Sequence, residues 1–133
     1  MNPDNAMVLV VDDDVDTCRN LADILSDMGY QADIAHDGPS ALTLIEKRPY
    51  RIALLDYRMP GMDGLTLCRA IRARRAGTVA IIVTAYAGGI SPEQFVAAGA
   101  SRVLPKPVEV RELLDTLEQL IKDSDPATHP GGS

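Results

Sequence analysis

The chain has no tryptophan, one phenylalanine and four tyrosines, too few rings for a platform on which bases or sugars could stack. Its two cysteines, Cys18 and Cys68, fall in separate helix-like stretches and in no metal-ligand spacing. They read as small, partly buried thiols of a reducing compartment, neither a disulfide nor a zinc site. The two histidines, His36 and His129, stand isolated, without the neighbours that would make either a ligand or a base. No stretch approaches the roughly 20 apolar residues that span a bilayer, and the amino terminus lacks the pattern of a secretory leader. The net charge is −6, which argues against direct contact with nucleic acid. These absences leave a soluble, cytoplasmic protein with one domain's worth of core.

Strand-like and helix-like segments alternate five times. Residues 7–11, 31–35, 51–55, 78–83 and 102–105 read as strands, and 15–28, 39–48, 64–75, 91–98 and 109–122 as helices. Runs such as Val79 to Val83 are apolar throughout, as strands covered on both faces of a parallel sheet must be. The punctuation agrees. Gly29 and Gly99 follow helices where a left-handed residue would end them. Ser91-Pro92-Glu93-Gln94 reads as an N-cap, a proline at the first helical position and a capping-box glutamine. Pro105 cannot donate to a ladder, so it fits an edge strand, as the sheet order 2-1-3-4-5 requires. The expected fold is a (βα)5, flavodoxin-like three-layer α/β sandwich over residues 7–122. Residues 1–6 are expected as an N-terminal extension and 123–133, rich in proline and glycine, as a disordered tail or linker stub.

The chemistry sits where these strands stop. Val10-Val11 run into Asp12-Asp13, Leu54-Leu55 into Asp56, Ile82-Val83 into Thr84, and Leu104-Pro105 into Lys106. An open parallel sheet binds ligands outside the carboxyl ends of its strands, where the strand order reverses. Acids, a hydroxyl and an ammonium from four distant stretches would meet at one rim. Three carboxylates in one pocket repel one another and resist burial. A divalent cation relieves both costs, and Mg²⁺ prefers about six oxygen ligands. Lys106 adds a point charge suited to a phosphoryl oxygen, and Thr84 adds a donor. A carboxylate flanked by such charges can attack phosphorus, and the product is an aspartyl phosphate.

Val10-Val11-Asp12-Asp13, the block Leu55-Asp56-Tyr57-Arg58-Met59-Pro60-Gly61-Met62-Asp63-Gly64, Thr84-Ala85 and Lys106-Pro107 together resemble the receiver domain of bacterial two-component response regulators, of the chemotaxis-regulator kind. The resemblance implies phosphorylation of Asp56 by a phosphohistidine of a histidine kinase or histidine phosphotransfer protein, and a downstream effector domain or protein. It implies Mg²⁺ held by Asp13, Asp56 and the carbonyl of Arg58, with Asp12 acting through water, and Thr84 and Lys106 on the phosphoryl group. The Arg58 side chain stands where members of the family set how fast phosphate is lost. Self-catalysed transfer and dephosphorylation are then the only chemistry, so the chain is not an enzyme acting on other molecules. The family usually carries an aromatic switch residue three positions before the lysine, but Val103 stands there. The switch set therefore becomes Thr84, Val103 and Tyr86, with the loop from Thr84 to Ser91 carrying the signal. Two alternatives are a pseudo-receiver that binds partners without phosphorylation and an aspartyl-phosphate-forming phosphatase. The second wants an acid two residues after the nucleophile, where Arg58 stands.

Overall fold

The computed structural model describes residues 6–85 and 91–124. Five strands alternate with five helices: β1 (Met7–Val11), α1 (Val15–Asp27), β2 (Gln31–Ala35), α2 (Gly38–Lys47), β3 (Ile52–Asp56), α3 (Gly64–Arg74), β4 (Val79–Thr84), α4 (Pro92–Ala98), β5 (Ala100–Pro105) and α5 (Val110–Ser124). All strand pairs are parallel, in the order β2-β1-β3-β4-β5. That is the expected flavodoxin-like arrangement, and it puts Pro105 at the end of an edge strand.

The two faces of the sheet are read from alternate residues of each strand, because successive side chains point to opposite sides. Leu9, Val11, Ala53, Leu55, Ala80 and Ile82 face one buried cluster with Ala41, Ile45, Leu67, Ile71 and Phe95 of α2, α3 and α4. Val8, Val10, Ile52, Leu54, Ile81 and Leu104 face the other, with Leu21 and Leu25 of α1 and Leu113, Leu117 and Ile121 of α5. Each of the valine, leucine, isoleucine and phenylalanine side chains among them contributes about 1.5–3 kcal/mol by leaving water. α2, α3 and α4 thus form one outer layer, and α1 and α5 the other.

Helix ends follow local chemistry. Asp14 caps α1, its Oδ1 accepting from Asp16 N–H at 3.0 Å and Thr17 N–H at 3.2 Å. Asp37 caps α2 through Ser40 N–H at 2.7 Å, and Asp63 caps α3 through Thr66 N–H at 2.8 Å. Gln94 Oε1 accepts from Ser91 N–H at 3.0 Å, and Gly99 ends α4 at φ 94°. At the other end of the sheet, arginines close the C-terminal turns. Arg75 donates to the carbonyls of Ile45 and Glu46, Arg51 to Ile121, and Arg72 to Ala76 and Thr78. Tyr50 donates its hydroxyl to Asp33 Oδ2 at 2.5 Å, which also pairs with Arg48 at 3.1 Å. Burial, then Asp33, holds that phenol well above its ordinary pKa.

Several boundaries differ from expectation by a residue or two. Asp56 and Thr84 are the last residues of β3 and β4, paired with Val83 and Pro105, and not the first residues of loops. β5 begins at Ala100 and not at residue 102, because a bulge at Ser101 interrupts its pairing with β4 between Ala80 and Ile81. A lone alanine between Gly99 and the polar Ser101 and Arg102 hides such a start from apolar patterning. Ala6, expected in an extension, is buried, and its carbonyl takes the N–H of Gln31 at 3.0 Å. α5 runs on to Ser124. The remainder of the expected tail, 125–133, lies outside the described residues, as does His129.

The turn after β3 leaves no space at Gly64. A Cβ there would stand 2.6 Å from the Asp56 carbonyl oxygen and 2.9 Å from Tyr57 Cα, both backbone atoms that cannot swing aside. Gly77 has nothing within 4 Å of the same position. Gly64→Ala should cost about 1–3 kcal/mol in urea unfolding, whereas Gly77→Ala should be neutral or stabilise by about 0.4–1 kcal/mol.

Candidate functional site

β1 and β3 lie side by side at the point where the strand order reverses, with Val11 opposite Leu55, so the residues ending them share one rim. Carboxylate oxygens of Asp12, Asp13 and Asp56 lie within 4.8 Å of one another. Asp12 and Asp56 are buried at 3% and 6% exposure, while Asp13 is exposed. The desolvation cost expected of three acids therefore falls on two of them, because water still solvates Asp13. Asp14 takes no part in this cluster, being committed to the α1 cap.

Lys106 comes to the same point from beyond β5. Its Nζ lies 3.1 Å from Asp12 Oδ2 and 3.0 Å from Asp56 Oδ1, and its own N–H donates to the Thr84 carbonyl at 3.0 Å. The Lys106–Pro107 peptide bond is cis. Thr84 is buried at 2% exposure beside them. The rim opens into a cavity of about 280 Å³ whose lining includes the three acids, Arg58, Thr84 and Lys106. A larger opening, about 390 Å³, borders Tyr57 to Pro60. Its one carboxylate, Asp63, is taken up by the α3 cap.

The charges are strongly interdependent. Burial pushes the Asp56 carboxyl above its ordinary value, and the neighbouring Asp12 charge adds to the rise, while bonds from Lys106 and from the Arg58 N–H oppose it. Burial also works against the Lys106 ammonium, but its bonds to Asp56 and Asp12 outweigh that and hold it protonated above its ordinary value. Asp56 is thus an unusually basic carboxylate facing a firmly held cation.

Two supports were not legible in the sequence. Cys18 Sγ donates to the Asp12 carbonyl at 3.2 Å, and His36 Nδ1 lies 3.1 Å from the same oxygen. His36, expected to be isolated, helps fix the backbone from which Asp12 projects. The Cys18 thiol is pushed up to about 11 by burial and then by the Asp12 charge, so it stays protonated and inert. Their residue types carry no signal of this. Only the pairing of β1 with β2 brings His36 to the end of β1. Of the expected switch residues, Thr84 is in the site and Val103 is half-buried on β5, opposite Ile82. Tyr86, with the Gly88-Gly89 pair, lies outside the described residues.

The Asp56 shift gives stability a pH signature. Between the ordinary value of 3.8 and the raised folded value, folded Asp56 holds more proton than the unfolded chain. Its contribution to stability therefore falls as pH rises through that window. The Asp37 cap works the other way. Its carboxyl is held below 3.8 by the Ser40 N–H, so its support is present above 3.8 and lost only as pH falls through the lower folded value. In chelator, Asp56→Asn should be more stable than wild type at neutral pH. That advantage should shrink as pH is lowered towards 4, followed by urea midpoints across the range.

The sequence profile of the response regulator receiver domain family matches residues 8–118. A response regulator receiver protein of Anaeromyxobacter sp. (strain Fw109-5) is 40% identical over 107 residues, covering 80% of this chain and 45% of that protein. The chain spans about a quarter to about half of the length of the curated relatives it matches. Among solved structures, a chemotaxis-regulator-like receiver domain from Methanospirillum hungatei superposes with a TM-score of 0.84 at 31% identity, over 90% of this chain and 96% of that one. The receiver domain of a sensor histidine kinase from Pseudomonas aeruginosa PAO1, described with magnesium coordinated in its active-site cleft, gives 0.80 at 30% identity over 88% and 98%. The acid-and-lysine rim on this sheet, and a profile match across nearly the whole described chain, identify the chain as a member of the response regulator receiver domain family.

Proposed function

We propose that this chain is a phosphorylation switch in which Asp56 accepts a phosphoryl group from the phosphohistidine of a histidine kinase or histidine phosphotransfer protein, in the cytoplasm. The observation that carries the reading is one ammonium, Lys106, bonded to two buried carboxylates at the carboxyl end of the sheet. A buried acid whose burial favours its protonated form is a basic, nucleophilic carboxylate when ionised. One Asp56 oxygen forms the bond to phosphorus as the P–N bond to the donor imidazole breaks, and the departing ring takes up a proton. Lys106 leaves the Asp56 oxygen for a phosphoryl oxygen while keeping Asp12, so its charge meets the charge that develops in transfer. Thr84 offers its hydroxyl to a second phosphoryl oxygen.

The donor set suits a hard divalent cation, being oxygens only, within 4.8 Å, beside a cavity that admits water. Asp13, Asp56 and the carbonyl of Arg58 would hold Mg²⁺, with Asp12 acting through water. When bound, the ion supplies the positive charge that lets phosphoryl oxygens approach three acids. The chain's own residues do the rest. Asp12 keeps Lys106 in place, and the β1 and β3 ends fix the acids to one another. Transfer and later hydrolysis change the charge at the rim, and a downstream effector domain or protein reads the difference.

Acetyl phosphate with Mg²⁺ should add one hydroxylamine-labile phosphoryl group, seen by intact mass, and Asp56→Asn should abolish it. Labelling of Asp56→Asn at the wild-type level would sink the assignment. A wild-type chain that is never labelled, yet still binds its kinase, would favour a pseudo-receiver.

Metal linkage gives an independent check. Mg²⁺ at ten times its dissociation constant should stabilise the wild type by about 1.4 kcal/mol. Asp13→Ala, which removes an exposed acid and leaves the core untouched, should show a much smaller gain in the same thermal melts.

A further inference from the structure

Asp56 is followed directly by Tyr57, whose backbone is held on both sides. The Tyr57 N–H donates to the Val83 carbonyl on β4 at 3.0 Å, and its carbonyl accepts from Gly64 N–H, where α3 begins, at 2.8 Å. Its ring meets Phe95 of α4 edge to face, with centroids 6.3 Å apart and planes at 70°, within the favourable range for aromatic pairs. Phe95 is buried at 5% exposure, and the next residue, Val96, is 71% exposed. α4 thus turns one residue inward onto Tyr57 and the next outward to solvent. The helix has seven residues. It is also held by buried Ala98, whose carbonyl accepts from Cys68 Sγ at 3.1 Å. Val103 packs half-buried against the same cluster as Phe95, but a β-branched side chain has one stiff torsion and little volume to relocate.

We propose that the Tyr57–Phe95 ring pair couples the state of Asp56 to the position of α4 and so to the exposed face that carries Val96, an inference that rests on Asp56 being the phosphoryl acceptor. When Asp56 gains a phosphoryl group, Lys106 and the end of β3 must rearrange around it. The two bonds on the Tyr57 peptide groups oppose translation but leave them free to turn, so the rearrangement tilts the Cα–Cβ bond between them. The shift passes to its side chain, and the ring bears on Phe95. An edge-to-face contact is directional, so a small rotation of one ring demands a matching move of the other. α4, seven residues long, is the element that yields. Val96 moves with it, which changes the surface that α4 exposes.

The test is amide NMR with and without beryllofluoride and Mg²⁺, a stand-in for the phosphoryl group. Wild type, Tyr57→Leu, Phe95→Leu and the double variant are compared, with Phe95→Met carrying the test should Phe95→Leu unfold. Asp56 and Thr84 should shift in every folded variant. The shifts of Phe95, Val96 and Ala97 should fall to half or less in each single variant and no further in the double, the signature of one shared contact. Tyr57→Phe, which keeps the ring, should respond as wild type does. Full α4 shifts in both single variants would overturn the proposal, and so would loss of response in Tyr57→Phe. A wild type in which Asp56 and Thr84 themselves do not move would overturn the phosphoryl reading along with it.

Discussion

Two buried carboxylates held against a single ammonium set the terms for the rest of the domain. Like charges about 4 Å apart near a protein surface repel by about 4 kcal/mol, a large share of the 5–15 kcal/mol that keeps a domain folded. Asp56 ends β3 and Asp12 directly follows β1, adjacent strands whose register is fixed over most of their length, so neither can retreat without disturbing the sheet. Lys106, reached only after β5, bonds both acids. Lys106 thus ties the fifth strand by charge to the first and third, from which β4 separates it in the sheet. A ligand that brings its own charge must re-divide that ammonium, which makes the rim responsive.

The architecture was legible because each of its causes is local. Continuous apolar runs such as Val79 to Val83 show strands covered on both faces. Leu113, Leu117 and Ile121 show which side of α5 packs, and Pro105 shows which strand lies at the edge. The convergence of Asp12, Asp56, Thr84 and Lys106 was legible for the same reason, since a doubly wound sheet leaves its strand ends together. The boundaries were less so. Asp56 and Thr84 read as loop residues because a polar side chain marks the end of an apolar run. The ladder tolerates a polar side chain at its last position, where one side opens to the cavity.

What the sequence concealed depends on tertiary geometry. Nothing in Cys18 or His36 says that both meet the carbonyl of Asp12, because one lies on α1 and the other beyond β2. Nothing in Tyr57 or Phe95 says that they touch, since α3 and β4 lie between them. The division among the acids was hidden too. Asp12, Asp13 and Asp14 are identical in type, yet one is buried against a lysine, one faces water and one caps a helix. Backbone direction after β1 makes that assignment.

The arginines at the far end of the strands have a consequence of another kind. Arg51, Arg72 and Arg75 donate to main-chain carbonyls at 2.6–3.1 Å, acceptors that neither titrate nor exchange metal. Ionic conditions that reorganise the carboxylate rim leave these bonds with the same partners. The molecule is thus anchored at one end by main-chain bonds that keep their partners, while the rim at the other end answers to the solution. A signal written at the rim is therefore read against a frame that stays in register.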